Sequence, residues 1–168
     1  MIFDVLKRRW LRKQQEKLSG QRRSSITSKP LSMVVLYDAD AEKSTLFMEQ
    51  WSRELGIQDY QMVGVTVDTK KQPVQDQLLV SMKSIQWAGG LADPALKELL
   101  DRHFDLQINL FEKRDDLKSY VAMALHSGIT AGLASLPEDH YDLAIDVKPS
   151  QKELFIKELN KYLNIITK

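Results

Sequence analysis

The sequence contains no cysteine. That excludes disulfides, thiolate metal sites and a cysteine nucleophile, and it fits a reducing, cytoplasmic setting. Glycine is scarce, at seven residues in 168, and none of the seven falls into G-x-G-x-x-G or G-x-x-x-x-G-K-[ST]. A dinucleotide fingerprint and a phosphate loop are therefore absent from the sequence. No run of ~18 apolar residues occurs, so no segment is expected to cross a bilayer as a helix. The stretch ahead of Lys7 is short, and its cations, Lys7, Arg8 and Arg9, come after it. A signal peptide has the reverse order, with charges before a longer apolar core.

Net charge is also nearly lacking, at +1, but that value conceals an asymmetry. Residues 1–30 carry nine Lys/Arg against only Asp4 and Glu16, a charge of +7. The remaining fifteen basic and twenty-one acidic residues give residues 31–168 a charge of −6. A body of that sign is a poor general binder of nucleic acid, so any such binding is expected through the leader alone.

At 100° per residue, Ile2, Phe3, Leu6 and Trp10 share one helical face that Leu11 and Leu18 extend, with Arg8, Arg12, Gln15 and Glu16 opposite. A basic amphipathic helix is expected, followed by a polar linker, "SGQRRSSITSKP", ending at Pro30. Two seats are open to this helix. It can lie on an anionic membrane surface, with Phe3 and Trp10 as interfacial anchors and Lys7, Arg8, Arg9, Arg12 and Lys13 toward headgroups or phosphates. Alternatively it docks on its own domain or on a second copy. Lys13 and Lys17 interrupt the apolar face and favour docking.

From residue 31 to 168 short apolar runs alternate with helical patterns, which predicts an α/β fold. A single doubly wound, mostly parallel sheet of five or six strands is expected, with helices on both faces, in a Rossmann-like domain behind the 1–30 leader. Strands are expected at Ser32–Tyr37, Tyr60–Val67, Phe104–Phe111, Ile129–Leu133 and Tyr141–Val147. Helices are expected at Ala41–Leu55 with Gly56 as its stop, from an Asp93 cap with Pro94 behind it, from Asp115 or Asp116 to Gly128, and from a Ser150/Glu153 capping box onward. The stretch "QLLVSMKSIQW" reads as a helical turn and then an edge strand through Ile85 and Trp87. Trp51 and Trp87 are expected in the core.

In such a sheet the crevice lies outside the carboxyl ends of the strands. The residues there able to carry chemistry are Asp38 and Asp40 after the first strand, Asp68 after the second, Asn109, and Asp146 with Lys148 after the last. Asp38 and Asp40 are also the only candidate metal ligands. A simpler role is expected for them: Asp40 capping a helix that begins at Ala41, and Asp38 drawn to the same positive helix end. His103, His126 and His140 are too widely spaced for a local metal motif, and His103 and His126 are expected at helix C-termini. Ser127 and Ser135 lack a nucleophile elbow.

"VVLYDADAEK" resembles the nucleophile strand of haloacid-dehalogenase-type phosphatases, which would make Asp38 the nucleophile and Asp40 the acid/base; Glu42 stands where Thr or Val belongs. Asp38, Asp40, Lys148 and Pro149 resemble the acidic pair and Lys-Pro of response-regulator receiver domains, with Asn109 at the phosphoacceptor position. "FDLQINLFEKRDDLKSYVAMALHSGITAGLA" is similar to the strand, helix and strand of the N-terminal half of heptosyltransferase-type glycosyltransferases, without their other half. Across residues 32–163, with the basic helix in front, the chain resembles an uncharacterised family of small bacterial proteins known as a domain of unknown function, which names no catalytic residue.

The expected role is thus an interaction module without its own catalysis. Its basic leader would engage a protein partner, a second protomer or an anionic surface, in the cytoplasm or at the inner face of its membrane. The alternatives are a Mg²⁺-dependent phosphoryl-transfer or nucleotide-sugar enzyme using Asp38, Asp40 and Asp146, and a degenerate receiver domain. No cofactor is assigned.

Overall fold

The computed structural model describes residues 2–19, 28–74, 77–135 and 141–167. Most of the expected linker and His140 lie outside the described residues. Six strands form one all-parallel sheet: β1 (Ser32–Asp38), β2 (Asp59–Val65), β3 (Leu78–Val80), β4 (His103–Asn109), β5 (His126–Leu133) and β6 (Leu143–Ile145), in the order β3-β2-β1-β4-β5-β6. The order reverses direction at β1 and β4, the doubly wound arrangement that opens a crevice between the carboxyl ends of those two strands. Central β1 is apolar over five consecutive buried residues, Met33–Tyr37, because both of its faces are covered.

Five α-helices supply the cover: α1 (Ile2–Leu18), α2 (Phe47–Leu55), α3 (Pro94–Asp101), α4 (Asp116–Ala124) and α5 (Lys152–Ile166). On one face Met33, Val35, Leu106 and Ile108 pack under α2 and α5, whose Trp51 and Phe155 rings stack at 5.2 Å. On the other, Val34, Leu36, Val63 and Phe104 pack under α1, α3 and α4.

The question left open for the leader helix has a clear answer: α1 docks on its own domain. Leu11 is fully buried, Trp10 meets Tyr120 of α4 at 5.3 Å between ring centroids, and Leu18 packs against the same core. Polar contacts pin both ends of the helix. Lys7 Nζ donates to the Met82 carbonyl at 2.8 Å, Arg12 Nε donates to both Asp116 oxygens, and Gln15 Nε2 donates to the Asp116 carbonyl. Gly89, at φ +95°, brings its backbone so close to Trp10 that a Cβ there would sit 2.4 Å from the indole.

Several local expectations are corrected. The helix expected at Ala41 begins at Phe47. The Asp38 carbonyl closes a single turn by accepting from the Ala41 and Glu42 amides, and residues 42–45 then run without regular structure. The Gly56 stop is present, at φ 67°. In the 77–91 stretch the order is strand first: β3 is followed by a 3₁₀ turn at Met82–Ser84, and Ile85 makes only an isolated antiparallel bridge to Leu91. Trp87 is not core but 61% exposed. Gly128 lies inside β5, because α4 already ends at Ala124 and the backbone of Leu125 after it is extended. The Ser150 capping box does not form; α5 starts after Gln151, which makes no side-chain cap bond. His103 and His126 are paired first residues of β4 and β5 rather than helix ends.

Candidate functional site

The crevice at the carboxyl ends of β1, β2 and β4 gathers charge from four segments. Asp38 ends β1. Its Oδ1 accepts the Asp40 amide at 2.9 Å, and its Oδ2 receives Lys118 Nζ from α4 at 2.6 Å. The Lys118 side chain is 8% exposed, and a buried ammonium without a counter-ion is strongly unfavourable. Asp38 is therefore held as that counter-ion, with the Phe111 ring 5.7 Å from the same ammonium.

Asp40 points away from the turn it was expected to cap. It accepts from Thr66 Oγ1 at 2.5 Å and from the Val67 amide at 2.8 Å, tying the β1 loop to the segment after β2, with Lys71 Nζ 3.6 Å away. Lys71 also donates to the Ala39 carbonyl. Burial by itself would raise the Asp40 pKa, but the Thr66 and Val67 hydrogen bonds, with Lys71 and Lys118 nearby, outweigh it and leave the carboxyl below its ordinary value. A depressed folded pKa stabilises the fold above the ordinary carboxylate range, and that contribution disappears as pH falls through the lowered value. Asp40→Asn should therefore lower the urea midpoint at pH 7 and narrow its gap to the parent chain below about pH 4. An unchanged gap from neutral to acid pH would show that the Asp40 charge is not what Thr66 and Val67 hold.

The other sequence candidates separate from this pair. Asn109, fully buried at the end of β4, accepts from Gln107 Nε2 at 3.0 Å and leaves its own Nδ2 without a partner. Asp68 is spent on its own turn, accepting the Lys70 amide. Asp146 and Lys148 follow β6, three strand spacings from β1, or ~14 Å by sheet geometry. They do not join Asp38 and Asp40. Among the described residues no group of three or more His, Asp or Glu is placed to hold a metal ion.

A cleft of about 560 Å³ adjoins the crevice, walled by Arg8 and Arg12 of α1, Thr66 and Thr69 after β2, and Arg114 and Asp116 at the start of α4. The leader helix is thus a wall of the crevice. Most of the polar groups in that wall are engaged: Arg12 with Asp116, Arg114 Nη2 with the Tyr141 hydroxyl at 2.6 Å, and Asp115 with the Lys118 amide it caps.

The opposite, outward side of α1 differs. Ile2, Phe3, Val5 and Leu6 are exposed there, and Phe3 meets the exposed Trp87 edge-on at 5.9 Å. Arg9 and Lys13 are exposed beside them, and Arg8 is exposed toward the cleft; none of the three has an ion pair or hydrogen bond to any described residue. Sequence periodicity placed Phe3, Lys7, Arg8, Arg9, Trp10, Arg12 and Lys13 in one contact set, and the structure divides that set. Trp10, Lys7 and Arg12 face or bind the body, while Phe3, Arg8, Arg9 and Lys13 remain open to solvent.

Two residues of these sites were missed in the sequence. Lys118 lies between Leu117 and Val121 of the inward stripe, which marks a lysine that cannot reach water freely. Trp87 is followed by Ala88-Gly89-Gly90, a loop-tip signal that argued against a strand.

A model described as a family of unknown function (DUF6913) matches residues 7–166, from within α1 to the end of α5. The chain belongs to that family. No curated protein and no solved structure matches it. The matched range takes in the docked part of α1 as well as the sheet, and the family description assigns neither an activity nor a ligand.

Proposed function

We propose that this member of the family is a non-catalytic α/β interaction module whose contact surface is the outward side of α1. One contrast carries the reading. The carboxylates at the strand ends are spent on Lys118, Thr66 and Val67, whereas Arg9 and Lys13 stand exposed beside Ile2 and form no ion pair with any described residue. Fixed cations next to solvent-exposed apolar side chains suit an anionic contact. Any association with nucleic acid falls on the same side, because residues 31–168 are acidic overall.

Asp38 and Asp40 would need to shed these bonds before serving a Mg²⁺-dependent phosphoryl transfer, and Asp146 is too far away to help them. The test is a paired experiment. Arg9→Glu with Lys13→Glu should abolish association with anionic partners, leaving the unfolding free energy from urea titration within about 0.5 kcal/mol of the parent because both side chains are exposed. A panel of nucleotides with Mg²⁺ should leave the melting temperature unchanged. A nucleotide-dependent rise in melting temperature that Asp38→Asn removes would replace this reading with the enzymatic one.

A further inference from the structure

We infer that the occupant of this surface is an anionic lipid bilayer, on which α1 lies along its length with Trp87 beside it as a second anchor; the inference rests on the reading of α1 as the contact surface. Four observations converge on it.

The apolar side chains are well exposed, at 73% for Ile2, 55% for Phe3 and 61% for Trp87. They come from two segments of the chain, and the Phe3–Trp87 contact joins them into one patch. Indole and phenyl rings at the rim of such a patch match the amphipathic headgroup layer.

The cations follow on the same helix. Counting 100° per residue, Arg9 and Lys13 each project about 20° from Ile2, and Lys13 also lies about 20° from Leu6, so apolar and basic groups meet one plane together. A bilayer accepts both, with side chains entering the acyl boundary and cations remaining among anionic headgroups.

The charge of the remainder orients the molecule. Residues 31–168 carry −6, so an anionic surface repels the body and attracts only the leader side. A second copy fits less well, because a two-fold contact through this side would set Arg9 and Lys13 against the same cations of the other copy.

Finally, docking costs no unfolding. Trp10, Leu11 and Leu18 hold α1 to the body from the inner side, so the outer side is free in the folded chain.

The experiment uses the full chain in co-sedimentation with vesicles of phosphatidylcholine alone, and of phosphatidylcholine with about a third phosphatidylglycerol. Binding to poly-L-glutamate is measured alongside, and tryptophan emission is recorded. Partitioning should be at least ~10-fold stronger on the anionic vesicles and should weaken with added salt. It should fall at least ~10-fold in Arg9→Glu/Lys13→Glu and also in Ile2→Ser/Leu6→Ser, since both attractions contribute. Emission should shift to the blue on binding, and Trp87→Phe should remove most of that shift, because Trp51 is buried already and Trp10 is packed against Tyr120 on the inner side. Equal partitioning onto both vesicle types, or variants that partition like the parent, would overturn the inference. Binding to poly-L-glutamate that needs Arg9 and Lys13, without vesicle binding, would overturn the bilayer and leave the contact surface standing as a site for an acidic protein. Binding to neither would overturn both.

Discussion

Asp38→Ala should destabilise the fold by about 3 kcal/mol in urea titration, and adding Lys118→Met should restore most of that loss. The magnitude follows from Lys118. Its side chain is almost fully withdrawn from water beneath the crevice, and among the described residues Asp38, whose Oδ2 lies 2.6 Å away, is the carboxylate bonded to it. Removing Asp38 leaves a buried positive charge without compensation. That situation typically costs 3–5 kcal/mol, and the lower end applies because Asp38 itself retains some contact with solvent. Methionine in place of Lys118 keeps the length of the side chain and removes the charge. The stranded ammonium then disappears, and the double variant should lie close to Lys118→Met alone. If Asp38 were instead poised for chemistry, Asp38→Ala would be nearly neutral for stability, as charge-relieving substitutions in active sites often are. An unstable double variant would equally contradict the counter-ion role.

The second large effect falls on the leader. Leu11→Ala should cost about 3 kcal/mol, the usual range for a fully buried leucine being 2–5. Gly89→Ala should act in the same direction from the other side of the contact. It places a Cβ against the Trp10 ring and demands a left-handed backbone of a residue with a side chain. Both substitutions should expose Trp10, which would appear as a red shift in emission together with a lower urea midpoint. If Leu11→Ala unfolded at the parent's denaturant concentration, α1 would be an independent arm.

The fold class was legible in the sequence because it depends on a repeated rhythm. Apolar runs such as Met33–Tyr37 and Met62–Val65 signal strands covered on both sides, and Asp93-Pro94 and Asp115 mark helix starts that the structure retains, each aspartate accepting a backbone amide of its own helix. What was not legible depends on contacts between distant residues. Asp40 looked like a cap because the next segment could be helical, but Thr66 and Val67, on the neighbouring strand's exit, compete for its oxygens and win. Without that neighbour the helix start at Ala41 was the better local guess.

Trp87 was expected inside, on an edge strand with Ile85, whereas the turn at Gly89 and Gly90 carries it to the surface. The leader's face was read as one stripe from Ile2 to Leu18. In the structure the stripe is covered unevenly: its later residues Trp10, Leu11 and Leu18 pack on the body, while Ile2, Phe3 and Leu6 stay exposed. A periodicity count gives the angle between side chains and cannot say which angle a body will cover. For the candidate site the sequence supplied Asp38 and Asp40 but not their partners, since Lys118 lies eighty residues from Asp38.

The most direct measurement of the central claim, that α1 is fixed to the body by its inner side while its outer side stays free, is amide hydrogen exchange at Leu11 in the full chain. A helix of seventeen residues is marginal alone in water, so lasting protection there requires docking. The account predicts that the Leu11 amide exchanges as slowly as amides of β1, and that Leu11→Ala abolishes that protection. Exchange at Leu11 at the rate of an unstructured peptide would contradict it.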